Sequence, residues 1–332
     1  ADQYEDLEAQ EMADNALLLL SFSDADARPQ HVLTDRSYVY MSGKAKGVNG
    51  LVDPDDTTAI DATDAAVDML LAGNLNLGSY DNTRISIGGR VFREDYVDYS
   101  EFDLQLLGAT FQVDRVFGIN LLKLQLGYSD VTLGGDDYLS YTDVTLSDTI
   151  ILNDNWDLKL SGLFRQVSSD NVDYDHYDGD TIRLGLELKG RDDNPWHLDY
   201  AYRVDDAADD YVQFSNETGD VFDGFLSYSR TSHRIRGRYD FQWSDKLFQT
   251  FTASLRKTEY DDPNLFLEFI DDTSLTEILR DGIRYSVGTE ISWSLTDRLR
   301  LLGDIEFEEQ DSNIDQYDYD SLQIGIGVDY FF

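Results

Sequence analysis

The chain contains no cysteine. That excludes a disulfide framework, thiolate catalysis and any cysteine-held metal. Proline is nearly absent, four in 332 residues, and bases are scarce, 26 against 66 acids for a net charge of -40. Polyanionic nucleic acid is therefore excluded as a partner on electrostatic grounds. Long apolar runs are missing as well. The longest, Ala16 to Leu20, falls far short of the eighteen or so residues that a transmembrane helix needs. A transmembrane barrel needs no such run, because half of every strand is polar. The four histidines, His31, His176, His197 and His233, have no metal-ligand spacing. There is no Gly-x-Ser-x-Gly and no phosphate-cradling glycine loop.

What is present in quantity is aromatic and small: 21 Tyr, 17 Phe and 24 Gly. This suits many strands joined by tight turns, with aromatic girdles at two interfaces. The end of the chain carries the clearest pattern. Leu322, Ile324, Ile326, Val328 and Tyr330 alternate with Ser321, Gln323, Gly325, Gly327 and Asp329, and the chain stops on Phe332. A period of two places one set on each face of a strand. A strand of about ten residues with terminal aromatics fits the closing strand of a membrane barrel, apolar face to lipid and polar face to the lumen.

The same alternation recurs backward. Clean examples are Leu299–Glu308, Tyr285–Leu295, Thr250–Arg256, Arg234–Trp243, Trp196–Arg203, Ile182–Lys189, Trp156–Arg165 and Arg84–Val91. Further strands are expected near 139–152, 118–131, 101–113, 65–79 and 34–48, with the parity of 101–113 open and Asp148 falling on a lipid face. Short links at 80–82, 114–117, 153–155, 192–195, 244–246 and 296–298 alternate with longer acidic ones at 49–64, 95–100, 132–138, 169–179, 206–222, 260–282 and 309–320. Short turns on one side and long loops on the other mark an outer-membrane barrel. The pattern predicts an all-β fold, an antiparallel up-and-down barrel of about 14 strands (12 to 16) over residues 34–332, with 220–243 forming one long strand or two, of which only the first keeps long and short links alternating. Both termini and the short turns are then periplasmic and the long acidic loops extracellular. Ala1-Asp2-Gln3 shows neither a basic nor an apolar leader, so a start produced by removal of an export signal is expected. Residues 1–33, strongly acidic, read as a periplasmic segment or a plug entering the lumen.

In these registers the scarce bases fall on the lumen face: Lys44, Lys46, Arg84, Arg90, Lys123, Lys159, Arg165, Arg183, Lys189, Arg203, Arg234, Arg236, Arg238, Arg256 and Arg300. A base at mid-bilayer on the lipid face costs about 2–4 kcal/mol, which favours the inward choice. Two readings stay open. The bases pair with inward acids such as Glu187, Asp199, Asp240, Glu290, Asp304 and Glu306, or they form a basic strip, centred on Arg234, Arg236 and Arg238, that guides anions such as acidic sugars or docks the acidic N-terminal segment. Asp173, Asp175, Asp178 and Asp180 form a loose calcium-like cluster without EF-hand spacing. No other cofactor is implied.

The terminal Tyr330-Phe331-Phe332, with the alternation before it, resembles the C-terminal signal of Gram-negative outer-membrane barrel proteins of the porin-like class. That resemblance implies integral residence in the outer membrane, insertion by the barrel assembly machinery, and contact with outer-membrane lipid and lipopolysaccharide. The Tyr- and Asp-rich loops also resemble barrel domains of exopolysaccharide-export and surface-lipoprotein-assembly proteins. Three functions follow as expectations: a channel for a polar or charged solute, a scaffold whose acidic loops export or display a surface polymer or lipoprotein partner, and a barrel enzyme. The first is expected, and with it no enzymatic role.

Overall fold

The computed structural model describes residues 37–52, 59–169, 171, 175–191, 194–208, 210–215, 221–267, 275–314 and 317–332. The acidic segment 1–33 lies outside the described residues, as does Asp173. The described residues form eighteen strands: β1 (Tyr38–Val52), β2 (Ala59–Tyr80), β3 (Thr83–Tyr96), β4 (Leu104–Phe117), β5 (Asn120–Leu133), β6 (Asp136–Asn153), β7 (Trp156–Ser168), β8 (Gly179–Gly190), β9 (Trp196–Ala207), β10 (Asp210–Ser215), β11 (Val221–Leu226), β12 (Arg230–Ser244), β13 (Leu247–Tyr260), β14 (Asn264–Leu267), β15 (Leu275–Ile278), β16 (Asp281–Ser294), β17 (Leu299–Ser312) and β18 (Tyr319–Phe331). Fourteen of them close an antiparallel barrel in which β1 pairs with both β2 and β18, while β10, β11, β14 and β15 form a separate four-stranded sheet. The fold is the all-β barrel that the alternation predicts.

Side-chain placement identifies what surrounds it. Every barrel strand leaves large apolar side chains exposed on its outer face, among them Met41, Leu71, Ile87, Leu107, Leu124, Leu146, Leu160, Leu184, Leu198, Ile235, Phe251, Val287, Ile305 and Ile326. A continuous apolar ring far exceeds the few hundred Å² a soluble monomer leaves in water. The ring is bounded on both sides. All four tryptophans stand at the short-turn ends: Trp156 and Trp196 open β7 and β9, and Trp243 and Trp293 lie next to last in β12 and β16. On six strands the first outward charge follows ten residues from that end, at Arg93, Asp130, Asp180, Asp206, Lys257 and Glu309. Ten residues on a strand tilted about 40° rise about 25 Å, the height of the apolar band of an outer-membrane barrel. The chain is an integral membrane barrel of the bacterial outer-membrane type.

Several links differ from the sequence expectation. The segment 220–243 is not one strand: β11 leaves the barrel wall and β12 begins only at Arg230. Links 206–222 and 260–282 are not simple loops, since they carry β10, β14 and β15 of the small sheet. The link 132–138 shrinks to Gly134-Gly135, whose φ values of +58° and +95° suit a two-residue hairpin turn that only glycine enters without strain. The expected turn at 114–117 moves to Gly118-Ile119, because β4 continues through Phe117. Its parity is also settled: Leu104 and Leu106 point inward and Leu107 points out.

Candidate functional site in the barrel lumen

The interior divides by chemistry. On one arc, Leu104 and Leu106 of β4, Val131 and Leu133 of β5, Leu139 and Tyr141 of β6, and Val167 of β7 converge in a buried apolar cluster. Links from the long-loop end complete it. The short 3₁₀ turn Asp175–Tyr177 delivers Tyr177, and the segment before β12 delivers Leu226 and Tyr228. The rings of Tyr177 and Tyr228 meet edge-on with centroids 5.0 Å apart, and His176 lies 4.5 Å from Tyr228. The long-link end of the lumen is packed on this side. A second small cluster, Val48, Ala66, Tyr96 and Phe102, seals β1–β3. Below it Lys46 is buried between Glu94 at 2.7 Å and Asp68 at 3.4 Å.

The sequence-derived bases on this arc are engaged. Arg84 donates from Nε to Asp114 at 2.8 Å, Arg90 reaches Ser129 at 2.9 Å, and the Arg165 guanidinium lies 4.9 Å from the Tyr141 ring centre. Asp143 fits beside Arg165 because Gly127 faces it: a Cβ there would stand 2.6 Å from the carboxylate oxygens. Lys159 pairs with Glu187 at 3.4 Å, Lys123 is register partner of Ser147, and Lys189 sits beside His197 near the short-turn rim.

The opposite arc is charged over its full height. Arg203 and Arg230 share Asp205, at 2.7 and 3.1 Å, and Thr181 donates to the same carboxylate at 2.7 Å. Arg183 is register partner of Arg203. Arg234 bonds Asp199 at 3.0 Å. Arg238 bonds Asp240 at 2.8 Å, and that carboxylate also takes Thr250 at 2.8 Å and faces His197 at 3.2 Å. Arg236 stands between these two on the same face. The register adds a lateral row that no single strand discloses: Arg234, Arg256 and Arg284 are direct partners across β12, β13 and β16. Neighbouring strands lie about 4.8 Å apart, so three guanidinium stems occupy about 10 Å of wall.

An acidic wall adjoins this row. Glu290 on β16 is register partner of Asp304 on β17, and Glu306 and Glu308 follow on the same face of β17. Lys44 pairs with Asp304 at 2.7 Å, while Glu308 takes Arg284 at 3.4 Å and the Tyr319 hydroxyl at 2.7 Å. Among the described residues, Glu290 and Glu306 have neither a hydrogen bond nor an ion pair within the barrel. At the short-turn rim, Tyr40 donates to Asp329 at 2.8 Å and Arg300 lies 5.4 Å from the Phe331 ring centre. Serines and threonines separate the basic and acidic walls, with Ser254 and Ser286 joined at 2.7 Å. Sequence reasoning missed Arg230 and Arg284, which lie four residues and one residue before the alternation as read. Extending the parity of β16 back from Tyr285 by one residue would have found Arg284.

The remaining candidates sit elsewhere. Asp178 accepts the Ser169 amide at 2.6 Å, Asp175 opens the 3₁₀ turn, and Asp180 faces outward on β8. Among the described residues no group of three or more potential ligands surrounds a metal position. His233 faces lipid, bonded to the Tyr200 hydroxyl at 2.8 Å, and His31 lies outside the described residues.

No protein-family model matches the chain, and no curated protein matches it. Among solved structures it is similar to OccAB2 of Acinetobacter baumannii (13% identity, 90% of this chain and 98% of that one, TM-score 0.48). It is also similar to a mutant of the TodX monoaromatic hydrocarbon channel (13% identity, 89% of each chain, TM-score 0.47). The outer-membrane protein OpdK of Pseudomonas aeruginosa overlaps it with 9% identity over 90% of this chain and 99% of that one, at TM-score 0.44. Overlaps this loose carry no functional weight.

Proposed function

We propose that the barrel is a selective channel for a polar solute bearing a negative charge, passing along the charged arc and not through the whole lumen. The observation that carries this is the lateral row Arg234–Arg256–Arg284 crossing the vertical stripe Arg234, Arg236 and Arg238. Five guanidinium groups on contiguous inward positions make an anion path, and the acids beside them, Asp199, Asp240 and Glu308, hold the side chains in place. The apolar cluster opposite narrows the passage, so solute and wall meet at close range, where charge discriminates best. The short turns are read as periplasmic and the long acidic links as extracellular, with insertion through the barrel assembly machinery. Calcium at the long links stays a weak candidate, since Asp178 is occupied by a backbone amide.

The test is conductance in planar bilayers under a salt gradient. Changing Arg234, Arg236 and Arg238 together to Gln moves the reversal potential toward the cation limit while conductance persists. An unchanged reversal potential refutes the basic path.

One observation favours a second reading, a scaffold for a surface polymer or lipoprotein. The sheet β10-β11-β14-β15 stands outside the barrel order and ends on two edge strands, β10 and β15. Unpaired edges accept an added strand. Stoichiometric co-purification of a partner, lost when 209–226 is replaced by a short glycine-serine link, supports this; a barrel that purifies alone from its native membrane does not.

A further inference from the structure

Two opposite charges share one row of the lumen wall and do not pair. Register places Arg238 on β12 opposite Thr252 on β13, Thr252 opposite Gly288 on β16, and Gly288 opposite Glu306 on β17. All four are inward positions. Three strand spacings set the two ends about 14 Å apart at the backbone. Arg238 bonds Asp240 through Nε, and its side chain is 33% exposed, so its terminal nitrogens stay available to the lumen. Glu306 is exposed on the same wall and, among the described residues, has no hydrogen bond or ion pair.

The neighbouring row has the same order with a different outcome. Arg236, Ser254, Ser286 and Glu308 again read base, small, small, acid. There Glu308 is taken by Arg284 at 3.4 Å and by the Tyr319 hydroxyl at 2.7 Å, and Ser254 is joined to Ser286 at 2.7 Å. The row of Arg238 stays low in its middle. A Cβ at Gly288 would stand 3.0 Å from Thr252 Oγ1 and 3.6 Å from the Glu306 Cβ, so a side chain there would narrow the space between the two charges. Glu290, the next inward position on β16, is exposed too and adds a second carboxylate without a hydrogen bond or ion pair among the described residues. The wall thus forms a trough with guanidinium donors on one side, carboxylates on the other and a floor of small residues.

A solute with negative charge alone gains at Arg238 and loses at Glu306 and Glu290. A solute with positive charge alone meets the reverse. One that carries both signs satisfies both sides, its ammonium supplying three N–H donors and its carboxylate two acceptor oxygens. We infer that the solute is a zwitterion, an amino acid or short peptide with free ammonium and carboxylate groups. It crosses this level with its carboxylate on Arg238 and its ammonium on Glu306. The inference rests on the channel reading above and narrows it, since the negative charge of the solute becomes a carboxylate accompanied by an amine.

The test is uptake of radiolabelled solutes into proteoliposomes holding the full-length barrel. The probes are alanyl-glycine, N-acetyl-alanyl-glycine, which lacks the ammonium, and arabinose as an uncharged reference. Relative to arabinose, wild type admits the dipeptide about fivefold faster than its N-acetyl form, the scale of one half-exposed ion pair. Glu306→Gln removes that advantage, and Glu306→Asp keeps part of it. Arg238→Gln slows both carboxylates. Heat-modifiable migration on gels checks that each variant is folded. If Glu306→Gln does not fold, wild type alone decides through its choice between the two peptides. Equal uptake of the two peptides by wild type overturns the inference, as does an advantage that persists in Glu306→Gln. In either case the anion path still stands or falls on the reversal potential of the triple arginine variant. Exclusion of all three solutes overturns both readings.

Discussion

At similar distances from the short turns, the two arcs of the interior are built differently. Between β4 and β7 the inward positions nearest the long links are Leu, Val and Tyr, packed against residues from two links. Between β12 and β17 they are Arg, Glu, Ser and Thr, held by cross-strand hydrogen bonds. The first arc is a dry core inside a barrel. Its stability comes from apolar burial, and it holds its links in place. The second is a wetted surface, where charges balance each other and keep donors and acceptors available to a solute. The same alternation of strands thus supplies a wall and a passage, and the choice depends on what the inward residues meet across the lumen.

The sharpest break in this contrast is a pair of neighbours on one strand. Leu106 is 0% exposed in the packed arc, and Leu107 is 55% exposed on the lipid side. Leu106→Ala removes a filled position and costs about 3–5 kcal/mol, together with a larger conductance as the packed arc loosens. Leu107→Ala costs less than about 1 kcal/mol, since lipid replaces lost contacts with similar ones. Urea unfolding from vesicles measures both, and equal costs would show that the arc is not a packed core. The next effect is at the junction of the arcs. Asp205→Asn withdraws the charge shared by Arg203, Arg230 and Thr181 and lowers stability by about 2 kcal/mol; a neutral result in the same unfolding experiment marks that triad as solvated. The smallest effect is electrical. Glu306→Gln removes one acid from the wall beside the arginine row and shifts the reversal potential a few millivolts toward anion selectivity, with stability unchanged within about 0.5 kcal/mol. A shift toward cations instead would place the conducting path elsewhere.

Much of the barrel was legible because its faces meet opposite solvents. Where lipid lies on one side and water or charge on the other, as in Tyr285–Ser294, alternation reveals the strand, its ends and its orientation. It blurs where both faces are apolar. Leu104, Leu106 and Leu107 look alike as letters, and only the packing of Val131 and Tyr141 across the strand separates them. The small sheet was hidden for a related reason: β10, β11, β14 and β15 span four to six residues, too short for a period of two to stand out among acids. The arginine row was half visible. Parity along β12 reveals the vertical stripe, but Arg256 and Arg284 join it only through register, which no single strand contains.

The seam between β1 and β18 has a consequence for assembly. The Tyr40–Asp329 hydrogen bond closes the wall between residues 289 apart in sequence, so the first strand has no partner on one side until the last is made. Closing a loop of that length costs several kcal/mol in chain entropy before any contact repays it, and long-range pairing of this kind is slow. A chain with an open seam exposes strand edges and apolar side chains to water. Pairing of β1 with β18 is therefore the slow, long-range step of closure, and its rate depends on both strands together.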